Sequence, residues 1–239
     1  MTNISFCITT GGDNDEMIQK VIDSIVIQNI PNYEIIVAGG EKLNVKPSDR
    51  LKHIPFDESL KSKWTTRKKN LAVQASQYEV CIVTHDYISF HSNWYEEFEK
   101  FGTDWDICVH QSLNILGARA DGWRHDGGDG LPWACMVPYD IKELVKKMCI
   151  QGNYTCVKRE LYLKYPLNED LLWGQAEDVE WSKRVVPISK IEINPNCIIQ
   201  YVKSRPYDQR QATADLEQME AYKSVFDTIR KNRVDYSNV

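Results

Sequence analysis

Val80-Cys81-Ile82-Val83-Thr84-His85-Asp86-Tyr87 sets four apolar residues before a polar end that carries one carboxylate. An unbroken apolar run of this length suits a strand buried on both faces, as in a parallel sheet. Upstream the same design recurs. Ile4-Ser5-Phe6-Cys7-Ile8-Thr9-Thr10 ends in Gly11-Gly12, and Tyr33-Glu34-Ile35-Ile36-Val37-Ala38 ends in Gly39-Gly40. Between them Met17, Ile18, Val21, Ile22, Ile25 and Val26 recur at helical spacing, with Asp13 and Asn14 as caps and Pro31 as the stop. Residues 63–77 are expected to form a second helix and Ile54-Pro55-Phe56 a short strand. Strands alternating with helices imply right-handed crossovers and an α/β fold with a mostly parallel central sheet flanked by helices. Ligands of such sheets bind beyond the carboxyl ends of the strands, where Thr9, Thr10, Ala38, Gly39, His85 and Asp86 fall.

Downstream, helices are expected over 91–101, 140–149, 159–165 and 176–185, and strands at 107–109, 154–157, 188–193 and 197–202. Five glycines between Gly117 and Gly130 predict a long mobile loop carrying Trp123, His125 and Asp126. From about 208 to 232, Ala212, Leu216, Met219, Tyr222, Val225, Phe226 and Ile229 form one apolar face of a long C-terminal helix packed on the domain. The expected division is a domain over 1–205, with a nucleotide-binding half to about 90 and an acceptor half after it, and the helical segment 206–239.

The chain has 239 residues and a net charge of −5, which argues against a nucleic-acid partner, since that needs a basic face. Seven cysteines, an odd number without a C-x-x-C pair, suit free thiols in a reducing, cytoplasmic setting. No apolar run reaches the ~18–20 residues of a membrane span, so any membrane contact is expected to be peripheral.

Leu172-Trp173-Gly174-Gln175-Ala176-Glu177-Asp178-Val179-Glu180-Trp181 places two adjacent carboxylates at a helix start after a Trp-Gly turn. Alone, such a pair is more often a helix-terminal charge than a catalyst. Together with a strand-end carboxylate about 90 residues earlier, it suits metal-assisted group transfer. One group holds a metal-diphosphate while another takes a proton.

In this order the segments resemble a GT-A type nucleotide-sugar glycosyltransferase of the family-2-like group. Tyr33–Gly40 resembles that group's second strand and turn, Arg67-Lys68-Lys69-Asn70-Leu71-Ala72 its "ARN" helix, and Ile82–Ile88 its D-x-D strand end. Gly152–Arg159 resembles a further conserved segment, and Leu172–Asp178 the W-G-x-x-E-D motif. The resemblance implies transfer of a hexose from a UDP-linked donor to a saccharide hydroxyl, with inversion, assisted by Mn²⁺ or Mg²⁺. It implies Asp178 as general base with Glu177 beside it, and Asp86 as metal ligand. Thr9, Thr10, Ala38, Gly39, Asp57, Arg67, Lys68 and His85 are then expected around the donor. Trp123, His125 and Trp173 are expected around the acceptor, and Trp133 offers another aromatic face. Two departures stand out: Thr84 replaces the first aspartate of D-x-D, and Gly39-Gly40 replaces the acid after the second strand. They keep open a non-catalytic nucleotide-sugar or carbohydrate-binding protein of the same fold. A nucleotidyltransferase is disfavoured, because Gly11–Asp15 is acidic where a basic phosphate loop would stand.

Overall fold

Ile4–Thr9 forms strand β1, and all of its residues are buried. Alternate side chains feed two cores on opposite faces of one sheet: Cys7 enters one, and Phe6 and Ile8 the other. The computed structural model describes residues 1–204 and 208–232. Helix α1 (Asp15–Val26) follows, its first turn capped by Asn14 Oδ1, which accepts from the Met17 amide at 2.9 Å. It buries Ile18, Val21, Ile22 and Ile25.

Strands β2 (Tyr33–Ala38) and β3 (Leu51–Ile54), helix α2 (Thr65–Gln74), and strands β4 (Val80–His85) and β5 (Ile88–Phe90) complete the first half. β3 stops at Ile54, where Pro55 can no longer donate to a ladder. Next come α3 (Trp94–Phe101), β6 (Ile107–Leu113), β7 (Arg124–Gly128), β8 (Leu131–Met136), β9 (Met148–Cys149), β10 (Tyr154–Lys158), α4 (Arg159–Lys164), α5 (Glu177–Val185), β11 (Ile191–Tyr201), α6 (Asp208–Ala221) and α7 (Lys223–Lys231). The main sheet has eight strands in the order β3-β2-β1-β4-β10-β6-β11-β5. β10 and β5 run against the other strands of that sheet, which are parallel to one another.

Four expectations are corrected. The Gly-rich segment is not a mobile loop: it contains the β7–β8 hairpin, which with β9 forms a second sheet of three strands. The helix expected over 140–149 is a turn, a short 3₁₀ segment at Val145–Lys147, and then β9, because pairing with β7 outweighs the helical spacing. The two strands expected over 188–202 are one strand, β11, with an irregular register between Asn194 and Ile198 around Pro195. The single C-terminal helix is two, separated at Tyr222. Phe226 is buried in the core and Tyr222, Val225 and Ile229 pack against it, whereas Leu216 is exposed and Asp208 and Asp215 face inward. The ends of the segment 206–239 lie outside the described residues.

The loops after β1 and β2 touch through backbone. A Cβ on Gly12 would lie 2.5 Å from the Gly40 Cα, and one on Gly39 only 2.0 Å from the Thr10 carbonyl oxygen. Both glycines also have positive φ, of 79° and 131°.

Candidate functional site

Two cavities open beyond the carboxyl ends of β1 and β4. The first, of about 350 Å³, is lined by Thr9, Thr10, Glu58, Lys68, Asp86 and Lys203 among others. Asp86 follows β4, and its amide donates to the Thr9 carbonyl at 3.1 Å. Burial pushes the Asp86 carboxyl above its ordinary pKa and Asp13 adds to this; the Thr10 hydroxyl, Lys203 and Lys68 pull the other way. Lys68 is buried and donates to the Thr10 carbonyl at 2.6 Å and to both Glu58 oxygens at 2.8 and 2.9 Å. Its charge is therefore matched inside the protein. Lys63 and Lys203 line the same cavity on other sides.

The second cavity, of about 410 Å³, contains Glu177 and Asp178 at the start of α5. His85, Tyr87 and Trp173 line both cavities and form the partition between them. The His85 ring stacks on Tyr87 at 5.2 Å. Burial, with the charges of Lys69 and Lys68, holds His85 well below its ordinary pKa, so its ring is neutral at pH 7.

Asp178 Oδ2 accepts from the Gly152 amide at 3.1 Å, and Oδ1 from the Val179 amide at 2.9 Å. Gly152 is required for this approach: a Cβ there would lie 2.9 Å from both Asp178 Cβ and Oδ2. Glu177 is buried and accepts from the Gly174 amide at 3.2 Å, closing the Trp-Gly turn. Ala176, just before the helix, has a left-handed φ of 58°. Beneath the pair lies Lys69, whose ammonium bonds the Gly152 carbonyl. Burial lowers its pKa to about 8, against the opposing pull of Glu177 and Asp178. Asn153 adds a carbonyl oxygen, Oδ1, that is buried without a partner among the described residues. It lines the cavity with Asp178 and is an acceptor that a ligand hydroxyl can satisfy.

Several expected residues lie elsewhere. Ala38 is fully buried and Gly39 faces the Thr10 backbone; neither lines the first cavity. Asp57 is exposed and closes a turn with Ser59, while its neighbour Glu58 lines the cavity instead. Arg67 is engaged by both oxygens of Glu169, at 3.1 Å each. Trp123 is 1% exposed and belongs to the core, so it offers no stacking face. His125 lines the second cavity, but as a residue of β7 rather than of a mobile loop. Trp133, 66% exposed, and Trp173, 50% exposed, present the aromatic faces at that cavity. Lys69, Gly152 and Asn153 lie in segments that the resemblance marks, but their contacts with Asp178 and its cavity join positions distant in sequence.

Among the described residues, no three His, Cys, Asp or Glu side chains converge as a metal cage. A cation shared with phosphate oxygens needs fewer protein ligands. Asp86, the carboxylate at the end of β4, lines the first cavity beside Thr10 and is the residue placed to join such a shared site. Nor is any described helix long and apolar enough to cross a membrane.

No protein-family model matches the chain, and no curated protein does. Among solved structures it is similar to that of S. aureus TarS 1-349, at 12% identity and a TM-score of 0.58, over 98% of this chain and 72% of that one. It is also similar to a longer S. aureus TarS chain, at 11% identity and 0.58, spanning 44% of that chain. A third is S. aureus TarS 1-349 in complex with UDP, at 12% identity and 0.55, over 98% of this chain and 72% of that one. At this identity the likeness is one of fold, and the fold is GT-A-like.

Proposed function

We propose that the protein is a glycosyltransferase that moves a hexose from a UDP-linked donor to a saccharide hydroxyl with inversion. The observation that carries this reading is the meeting of two cavities at His85, Tyr87 and Trp173, with Asp86 in one and Asp178 in the other. A related fold holding UDP lends support to the donor class.

The nucleoside diphosphate occupies the cavity of Asp86, where Lys63 and Lys203 supply positive charge near the departing diphosphate. Asp86 would hold Mn²⁺ or Mg²⁺ beside the diphosphate, where the cation would supply further neutralisation of the leaving charge. The acceptor lies against Asp178 and Asn153. As its oxygen bonds to the anomeric carbon, the bond from that carbon to the diphosphate oxygen breaks, and the hydroxyl proton passes to Asp178. The amides of Gly152 and Val179 hold the Asp178 carboxylate in place for this transfer. Buried Glu177 steadies the turn that carries it.

The test is a thermal-shift panel of UDP, UDP-hexoses and GDP-, CMP- and dTDP-linked sugars, with and without Mn²⁺. A UDP-selective, metal-dependent rise is expected, because ligand binding stabilises the folded state. No rise with any nucleotide would overturn the proposal. Asp178→Asn is expected to keep the rise and lose donor turnover by ~10²–10⁴-fold, the usual range for a general base. Unchanged turnover would remove Asp178 from that role.

A further inference from the structure

A third cavity, of about 440 Å³, adjoins the one that holds Asp178. The two share Asp121, Arg124, Trp133 and Ala134, so they lie side by side with Trp133 presented to both. The far wall is α6, through Gln211, Ala214, Asp215 and Gln218. These positions lie at i, i+3, i+4 and i+7, one face of a helix.

That face is fixed in place. Arg124 donates to both Asp215 oxygens, at 2.9 and 2.8 Å, and the Gln211 amide donates to Asp215 at 3.0 Å. Burial works against the Arg124 charge, but the bond to Asp215 together with the charges of Asp215 and Asp121 holds the guanidinium above its ordinary pKa. The polar face of α6 therefore points at the groove, while Leu216 is left 68% exposed. On the opposite wall the β7–β8 register slips between Arg124 and Asp126. In the slipped stretch Ala134 has a φ of 61°, a conformation that favours glycine. Trp133, just before it, stands exposed where the two cavities join. Bulges beside binding sites commonly re-aim a side chain in this way.

An indole face flanked by amides, a carboxylate and a guanidinium matches a sugar, which has a C–H face and a rim of hydroxyls. A small single-sugar acceptor would not reach α6. We infer that the groove between α6 and the β7–β8 hairpin is an extended saccharide subsite, and that the acceptor is an oligosaccharide or longer glycan. One of its rings stacks on Trp133, and Gln211 and Gln218 bond its hydroxyls. The placement of its reacting end at Asp178 rests on the transferase proposal; the subsite itself does not.

The test is a glycan array carrying monosaccharides and their oligosaccharides of two to eight units. It is probed with the wild-type chain, Trp133→Ala, and the double variant Gln211→Ala, Gln218→Ala. Trp133 is exposed, so its truncation should leave the melting temperature unchanged. Binding of oligosaccharides over monosaccharides, weakened about tenfold in Trp133→Ala, is expected, as is weakening in the double variant. A silent array, binding independent of length, or oligosaccharide binding unaffected by Trp133→Ala would overturn the inference. The UDP thermal shift separates the two proposals. A UDP response with a silent array sinks only the subsite; Trp133-dependent glycan binding without a UDP response sinks only the transferase.

Discussion

Asp178 is held by a neighbour that has no side chain. Gly152 does not have a positive φ, so alanine suits its backbone, yet a Cβ there would sit 2.9 Å from the Asp178 carboxylate oxygen. Gly152→Ala is therefore expected to fold normally and to push Asp178 aside. A misplacement of this kind costs about 100-fold in rate; donor turnover measured beside a circular-dichroism control checks it. Lys69 gives a second residue-level outcome. Its folded-state pKa of about 8 lies below the ordinary lysine value of 10.5, so between these values the unfolded chain holds the extra proton. Stability from this group accordingly rises as pH climbs from about 8 to 10.5, and is lowest below 8, where burying the charge costs on the order of 3 kcal/mol. Chemical denaturation of wild type and Lys69→Met across that range should show the wild type gaining on the variant. A flat difference would refute the assignment. Asp86, Glu177 and Asp178 were legible because each sits in a local pattern, at a strand end or a helix start. Glu58 was not, and for Lys69 and Gly152 the segment was marked but the role was not, because their parts in the site depend on neighbours brought in from other segments.

At the scale of elements, β1, α1, β2, α2 and β4 carry their periodicity openly, and their cores follow from it. The β7–β8 hairpin was hidden by its glycines. Asp129-Gly130 joins the strands with both residues at positive φ, 56° and 79°, as a two-residue hairpin turn requires. That Asp-Gly pair was the available signal, and the density of glycines around it pointed to a loop instead. The C-terminal segment misleads differently. Its apolar residues fall on one notional face, but only those from Tyr222 onward pack on the core. Phe226, 1% exposed, anchors that helix. Phe226→Ala is expected to destabilise the fold by about 3–5 kcal/mol, read from the urea midpoint at constant slope. A loss below ~1 kcal/mol would mean that α7 adds little to the core.

Across the whole molecule, the order of the sheet beyond β4 had no local signature. β10 inserts antiparallel between β4 and β6, and pairing so distant in sequence is decided by the assembled sheet. The tail is tied to the centre by the Arg124–Asp215 pair, in which the carboxylate is buried and the guanidinium partly so. Removing one partner of such a pair strands the other charge, so Asp215→Ala is expected to cost about 3–5 kcal/mol in denaturant titration. The Asp215→Ala, Arg124→Met double variant should recover part of that loss. Equal losses in the single and double variants would show that the pair is not the tie.

The contact between the Gly12 and Gly40 backbones closes a mutational route. The resemblance group carries an acid after its second strand, and an engineer seeking to retune nucleobase preference would first restore it. Here any side chain at position 40 would begin 2.7 Å from the Gly12 Cα, and one at 39 would collide with the Thr10 carbonyl. Both loops would have to be rebuilt together. Under the proposed transferase reading, donor preference is therefore locked against single substitutions at this spot, and retuning it must pass through other walls of the cleft, such as Glu58 or Lys203.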